Sequence, residues 1–224
     1  MQRIDSEEIL DSESCPRDEV EASLRDLCRI NRWFGGVATT RSLIEHAAKV
    51  SGRKRLSLLE VAAGFGEVPR TAGTQLEHKG ISIDITDLDR VDTHLQRDHR
   101  ALVADALALP FRDNSFDLVS CSLFAHHLQP TELAQFAHEA VRVSRVAFLI
   151  NDLVRHPLHL ALVYAGFPLM RSYVSRVDGV ASVKRAYTPN EVRQILMNGS
   201  GRKIEISRHF LFRMGVIVWK TDRE

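Results

Sequence analysis

The sequence predicts an α/β fold: a Rossmann-like doubly wound sheet, mostly parallel, with N-terminal helices, a helical lid between strands five and six, and a C-terminal antiparallel strand pair. Three observations predict it. From residue 56 to 150 strand-like apolar runs alternate with helix-like ones five times. Leu56 to Arg70, L-S-L-L-E-V-A-A-G-F-G-E-V-P-R, reads as a strand, a tight glycine turn and a helix. Two final strand-like runs, Lys203 to Ser207 and Phe210 to Trp219, have a connection short enough to favour antiparallel pairing.

The chain of 224 residues, 44% hydrophobic and 26% charged, suffices for one domain with a large core. Within it we expect an N-terminal helical segment (1–55), a ligand-binding core (56–150), a lid and acceptor-binding insertion (151–200) and a strand pair completing the sheet (201–224). Thirty basic residues nearly balance twenty-nine acidic ones, and no basic run interleaves with aromatics, so no nucleic-acid partner is expected. Cys15, Cys28 and Cys121 are widely spaced and form no metal-ligand pattern, so no metal is expected and a reducing, cytoplasmic setting is. The acidic start M-Q-R-I-D-S-E-E lacks the features of a signal peptide, and Leu160 to Met170 falls short of the about 20 apolar residues of a membrane span. A cytoplasmic monomer or homodimer is the expectation.

Taken in order, residues 1 to about 18 are polar and acidic. Val20, Leu24, Leu27 and Ile30 recur at helical spacing, and Thr40 to Val50 forms a second helical stretch after Gly35 and Gly36. The joint Asn31-Arg-Trp-Phe-Gly-Gly reads as a helix end with Trp33 in the core. After the glycine turn, Val68 to Lys79 reads as a helix, Ile81 to Asp89 as an alternating strand, and Val91 to Asp98 as a helix. Leu102 to Ala104 and Phe116 to Ser122 are strands, Pro130 to Arg142 a helix, and Val143 to Ile150 a fifth strand. A long apolar helical region from Pro157 to Val174 follows, then a loop through Asp178 and Gly179, and a helix begun by Thr188-Pro-Asn-Glu191.

The glycine turn alone is weak evidence of a cofactor. A dinucleotide fingerprint places a third glycine where Pro69 stands. Its company is more specific: Glu60 before the turn, acids at the ends of strands two and three, and Leu109-Pro-Phe-Arg-Asp-Asn-Ser-Phe-Asp117-Leu-Val-Ser-Cys-Ser-Leu at strand four. With Glu60-Val-Ala-Ala-Gly64-Phe-Gly66, Ile85-Thr-Asp-Leu-Asp89 and Val103-Ala-Asp105-Ala106, this ordered set resembles the class I S-adenosylmethionine-dependent methyltransferases over residues 55 to 150. It is most similar to a type 11-like, small-molecule subgroup that includes quinone-biosynthesis enzymes.

The resemblance implies S-adenosyl-L-methionine as cofactor and a role for each matched residue. Glu60 would lie near the methionine ammonium, while Ala62, Gly64 and Gly66 let the backbone pass beside the cofactor. Asp89, ahead of its competitors Asp84 and Asp87, would accept from the ribose hydroxyls, and Asp105 from the adenine amino group beside the Ala106 amide. Cys121 and Ser122 would border the sulfonium.

For the acceptor, His126 and His127 follow strand four, where a histidine can deprotonate a phenol or enol, although each also fits a capping or packing role. Asn151 and Asp152, past strand five, fit either an acceptor-orienting pair or a helix N-cap. The candidate catalytic residues are therefore His126, His127 and Asp152; Arg155, His156 and His159 are weaker, and Asp178 and Arg185 read as a loop turn and a solvated charge in the segment that would cover the pocket. The apolar stripe from Leu160 to Val174 favours a hydrophobic small-molecule acceptor. Strand four lacks the Asn/Asp-Pro-Pro-Tyr/Phe motif, which argues against DNA adenine or glutamine methylation. The rival expectations are a catalytically idle cofactor-binding interaction protein and an RNA or protein methyltransferase, the latter disfavoured by the balanced charge.

Overall fold

The computed structural model describes residues 1–6, 8–11, 15–95, 100–197 and 202–220. Two helices open the chain, α1 (Arg17–Trp33) and α2 (Gly36–Ser51), followed by β1 (Arg55–Val61), α3 (Glu67–Glu77), β2 (Ser82–Asp89) and β3 (Ala101–Val103). Then come β4 (Phe116–Ser122), α4 (Pro130–Val143), β5 (Ser144–Leu153), α5 (Pro157–Ala165), α6 (Tyr173–Arg185), α7 (Pro189–Met197), β6 (Ile204–His209) and β7 (Arg213–Trp219). The seven strands form one sheet in the order β3-β2-β1-β4-β5-β7-β6. β1 runs parallel to β2 and β4, and β7 antiparallel to β5 and β6, the fold expected from the sequence.

Strand alternation decides what each face buries. Leu56 and Leu58 of β1 join Ile44 and Ala47 of α2 and Leu76 of α3 on one face. Leu59 and Val61 point the other way, onto Phe136 and Ala140 of α4 and Val192 of α7. From β1 the chain winds outward to β2 and β3, then returns to β4 on β1's other side. The carboxyl ends of β1 and β4 therefore flank the switch point where sheets of this type bind ligands.

Several local expectations are corrected. Between β2 and β3 the described residues hold only a 3-10 turn, Asp92–His94, in place of the helix expected from Val91, whose end at residues 96–98 lies outside the described residues. Asp89 Oδ1 accepts the Val91 N–H at 3.0 Å and ties the chain back to the strand end. The long apolar helix breaks at Gly166-Phe167-Pro168, where proline supplies no N–H donor, into α5 and α6. Asp178 and Gly179 lie within α6, not in a loop, and Gly179 faces the side chains of Val163 and Met170. Trp33 is 60% exposed, and the residue drawn inward at that turn is Asn31. Pro69 is the third residue of α3, still in the first turn where an N–H has no helical acceptor.

Candidate active site

The site begins at the β1–α3 turn. Ala62, Gly64 and Gly66 have φ values of 54°, 53° and 63°, so the chain reverses within a few residues and leaves a concave backbone. Gly64 N donates to Asp89 Oδ2 at 3.0 Å, fixing the turn to the end of β2. Arg70 of α3 reaches back beneath it, donating from Nη1 to the Gly66 carbonyl at 2.6 Å and pairing through Nη2 with buried Asp87. A Cβ on Gly66 would fall on the Arg70 guanidinium and lie 2.7 Å from Asp87 Oδ2.

Above the turn lies a cavity of about 480 Å³, within the range of small-molecule sites. Glu60, Ala62, Gly64, Gly66, Asp89, Asp105, Ala106 and Ser122 all line it. Glu60, 1% exposed, accepts a hydrogen bond from the Ser120 hydroxyl, and burial pushes its carboxyl up to about 7. Among the described residues no cation pairs with it, which fits a positively charged ligand group. Asp89 is held below the usual carboxylate range: burial opposes ionisation, but His94 and the N–H groups of Val91 and Gly64 outweigh it. Asp84 instead pairs with Arg100 on the surface, and Asp105 accepts the Leu107 N–H at 2.8 Å. Cys121 is placed differently from its neighbour: its side chain is buried in the core cluster behind β4.

At the other end of the cavity four expected or unexpected residues meet. His126, 2% exposed, shares Nδ1 with Asp152 Oδ1 at 2.7 Å, while Asp152 Oδ2 accepts the His126 backbone N–H at 2.9 Å. His126 Nε2 and His127 Nε2 stand 3.4 Å and 3.6 Å from the two oxygens of Glu8. Burial works against the His126 imidazolium, but Asp152 and Glu8 override it and carry its pKa up to about 10. His126 and His127 line the cavity, and Asp152 sits behind His126, so the cavity-facing imidazole is backed by a carboxylate. The N-cap of α5 is His156, accepting from Leu158 N at 3.1 Å, which removes that role from Asn151 and Asp152.

A pH prediction follows from this pair. The folded pKa of about 10 exceeds the ordinary 6.5, so the pair's contribution to stability is complete below pH 6.5 and is lost as pH rises through about 10. Ring nitrogen NMR at pH 8 is expected to show His126 as imidazolium; a neutral ring at that pH would contradict the assignment.

Sequence reasoning missed the N-terminal strap. Ile9 N and Leu10 N donate to the Asp178 carboxylate at 2.8 and 3.0 Å, and Arg3 donates to the carbonyls of Arg185, His126 and Leu128. These bonds carry Glu8 to the cavity. The polar, acidic composition of residues 1 to 18 gave no sign of it, because its partners lie more than a hundred residues away. Arg185, read as a solvated charge, is buried and donates to the His127 carbonyl at 2.8 Å. Arg155 donates to Met1 O and Ala186 O, and His159 lines the cavity with Nδ1 3.0 Å from the Val154 carbonyl.

A seven-stranded sheet of this order, with β7 reversed and a glycine turn after β1, defines the Rossmann-like methyltransferase class of fold. Residues 59–147 match the family model described as a methyltransferase domain. The plantazolicin methyltransferase BpumL, solved with SAH, superposes with a TM-score of 0.68 over 95% of this chain and 92% of that one at 12% identity. A SAM dependent methyltransferase from Aquifex aeolicus gives 0.61 over 91% and 99% at 14% identity. The citrinin polyketide synthase CMeT domain gives 0.54 at 12% identity over 75% of this chain, which spans 47% of that one. No curated protein matches. Residues 59–147 thus match a methyltransferase domain, and the chain shares its fold with S-adenosylmethionine-dependent methyltransferases. Among the described residues no helix is long and apolar enough to cross a membrane.

Proposed function

We propose that this chain is an S-adenosylmethionine-dependent enzyme that methylates an oxygen or carbon of a hydrophobic small molecule of phenolic or quinone-like character, in the cytoplasm. One observation carries the reading: beyond the cofactor turn the cavity is walled by Leu10, Leu27, Leu153, Val163 and Met170, and into it face a buried carboxylate and two imidazoles, Glu8, His126 and His127. An apolar wall suits an aromatic or alkyl body, and the ionic cluster suits a hydroxyl that must lose its proton. The BpumL neighbour was also solved with a monoazolic desmethylPZN analog, which supports a small-molecule acceptor by analogy of fold.

Glu60, Ala62, Gly64, Gly66, Asp89, Asp105, Ala106 and Ser122 would hold the cofactor, with Cys121 supporting the strand behind it. Bound S-adenosylmethionine supplies a methyl group already activated on a sulfonium. The chain's work is alignment and proton handling. His127 Nε2 takes the acceptor's hydroxyl proton, with the Glu8 carboxylate beside it to hold the resulting charge. His126, kept as imidazolium by Asp152, is a fixed cation facing the developing oxyanion. Residues 56–150 thus form the cofactor half, and residues 151–200 with the N-terminal strap the acceptor half.

Replacing Asp89 with alanine removes an acceptor for Gly64 N and for the cofactor's ribose. Affinity for S-adenosylhomocysteine in calorimetry is expected to fall roughly tenfold or more, about 1.4 kcal/mol; unchanged affinity would remove the assignment. The function itself is tested by incubating the enzyme and S-adenosylmethionine with phenols, quinols and hydroxylated polyketides and detecting methylated product by mass. Tight cofactor binding with no product from any of them would favour the idle binding protein.

A further inference from the structure

Arg213 is the first residue of β7, paired in register with Leu153 at the end of β5, and its side chain forms part of the cavity wall. It is 2% exposed. Its Nε donates to the Phe34 carbonyl at 3.1 Å, Nη1 to Asn151 Oδ1 at 3.2 Å and Nη2 to Asn31 Oδ1 at 2.7 Å. All three acceptors are neutral amide oxygens. A guanidinium has five N–H groups, so two are left over. Asp152, its neighbour along β5, has both oxygens engaged by His126 and the Leu153 N–H. Among the described residues no carboxylate pairs with Arg213.

The three bonds explain how Arg213 ties the α1–α2 turn to β5. They do not explain why a full charge stands there: the nearby Asp152 charge acts on the guanidinium but its oxygens are already engaged by His126, and neutral donors can reach the same three oxygens. We infer that Arg213, braced by Asn31 and Asn151, is a subsite for an anionic oxygen of the acceptor, a phenolate, enolate or carboxylate. Its use in turnover rests on the methyl-transfer reading above; the binding does not. Three fixed acceptors hold the guanidinium plane, and the apolar surroundings strengthen its attraction for an anion relative to water. The site therefore selects acceptors that carry an acidic oxygen, and it favours the ionised form that attacks the methyl group.

The same chemistry has a second source, the carboxylate of the cofactor's methionine, and the experiment separates the two. Binding of 4-nitrophenolate and of uncharged, similarly shaped 4-nitrotoluene is measured by calorimetry at saturating S-adenosylhomocysteine. The wild-type enzyme is expected to bind the phenolate roughly tenfold tighter or more. In Arg213→Gln that preference is expected to shrink about fivefold or more, the remainder coming from the His126 imidazolium, while S-adenosylhomocysteine affinity stays within about threefold, and Arg213→Lys keeps more of it. Equal binding of the two probes by the wild type overturns the inference, as does a preference undiminished in Arg213→Gln. A large loss of S-adenosylhomocysteine affinity with the phenolate preference intact assigns the guanidinium to the cofactor and also overturns it. If Arg213→Gln does not fold, the wild-type comparison together with Arg213→Lys decides. Failure of the methyl-transfer reading looks different: the anion preference persists while no acceptor yields product.

Discussion

Asp152→Asn is expected to lower methyl transfer about a hundredfold or more while S-adenosylhomocysteine affinity is retained. Asp152 does not line the cavity, so it acts through His126 as a positioning residue. Its two oxygens accept from the backbone and ring nitrogens of one residue, which fixes both the place and the charge of the imidazole. Asparagine has nearly the same shape but only one acceptor. If its oxygen keeps the backbone N–H, its amide nitrogen faces Nδ1, and the ring must become neutral there to accept. The substitution therefore removes the imidazolium with little change in packing. In the variant the His126 ring signals are expected to titrate well below their wild-type midpoint, a change that a merely structural role would not produce. A variant with a wild-type His126 titration and full activity would contradict the acceptor-end mechanism.

Gly66→Ala is expected to lose both cofactor affinity, roughly tenfold or more, and thermal stability. Two costs combine. A side chain at φ 63° carries about 1–2 kcal/mol of backbone strain, and the new Cβ lands on the Arg70–Asp87 pair that props the turn. Gly80→Ala supplies the comparison, because Gly80 also has positive φ, 73°, but a Cβ there meets nothing within 4 Å. For a chain of this size strain alone lowers the midpoint by about 2–8 °C. Gly66→Ala should fall further and Gly80→Ala should bind cofactor normally. Equal loss in both would mean that the Arg70 prop does not shape the site.

What was legible in the sequence is what local pattern encodes. Leu56 to Val61 alternates between two cores, the glycines turn, and α3 starts, all within fifteen residues; the acids at the ends of β2 and β3 sit at strand ends that a period of two locates. The antiparallel pair was legible for the same reason. The α5–α6 region was not, because Gly166 and Pro168 break a continuous apolar pattern that periodicity alone reads as one helix. Trp33, expected in the core, is exposed and Asn31 is buried in that turn, where Arg213, far along the chain, draws it inward through a 2.7 Å bond. Glu8 was invisible for a like reason, since only the docking of the strap on Asp178 brings it to His126. The cofactor half was thus readable from neighbours in sequence. The proposed acceptor half draws on Arg3, Glu8 to Leu10, residues 122–127 and 152–185, and Arg213, whose encounter is a property of the fold.

The transferred methyl is expected to leave with a small molecule. The enzyme is given methyl-labelled S-adenosylmethionine in one vessel with a mixture of phenols and quinols, total RNA and bulk protein. Label is expected in the organic extract, and its loss in Asp152→Asn. Label confined to the RNA or protein fraction, or none in any fraction from an enzyme that binds S-adenosylhomocysteine, would contradict it.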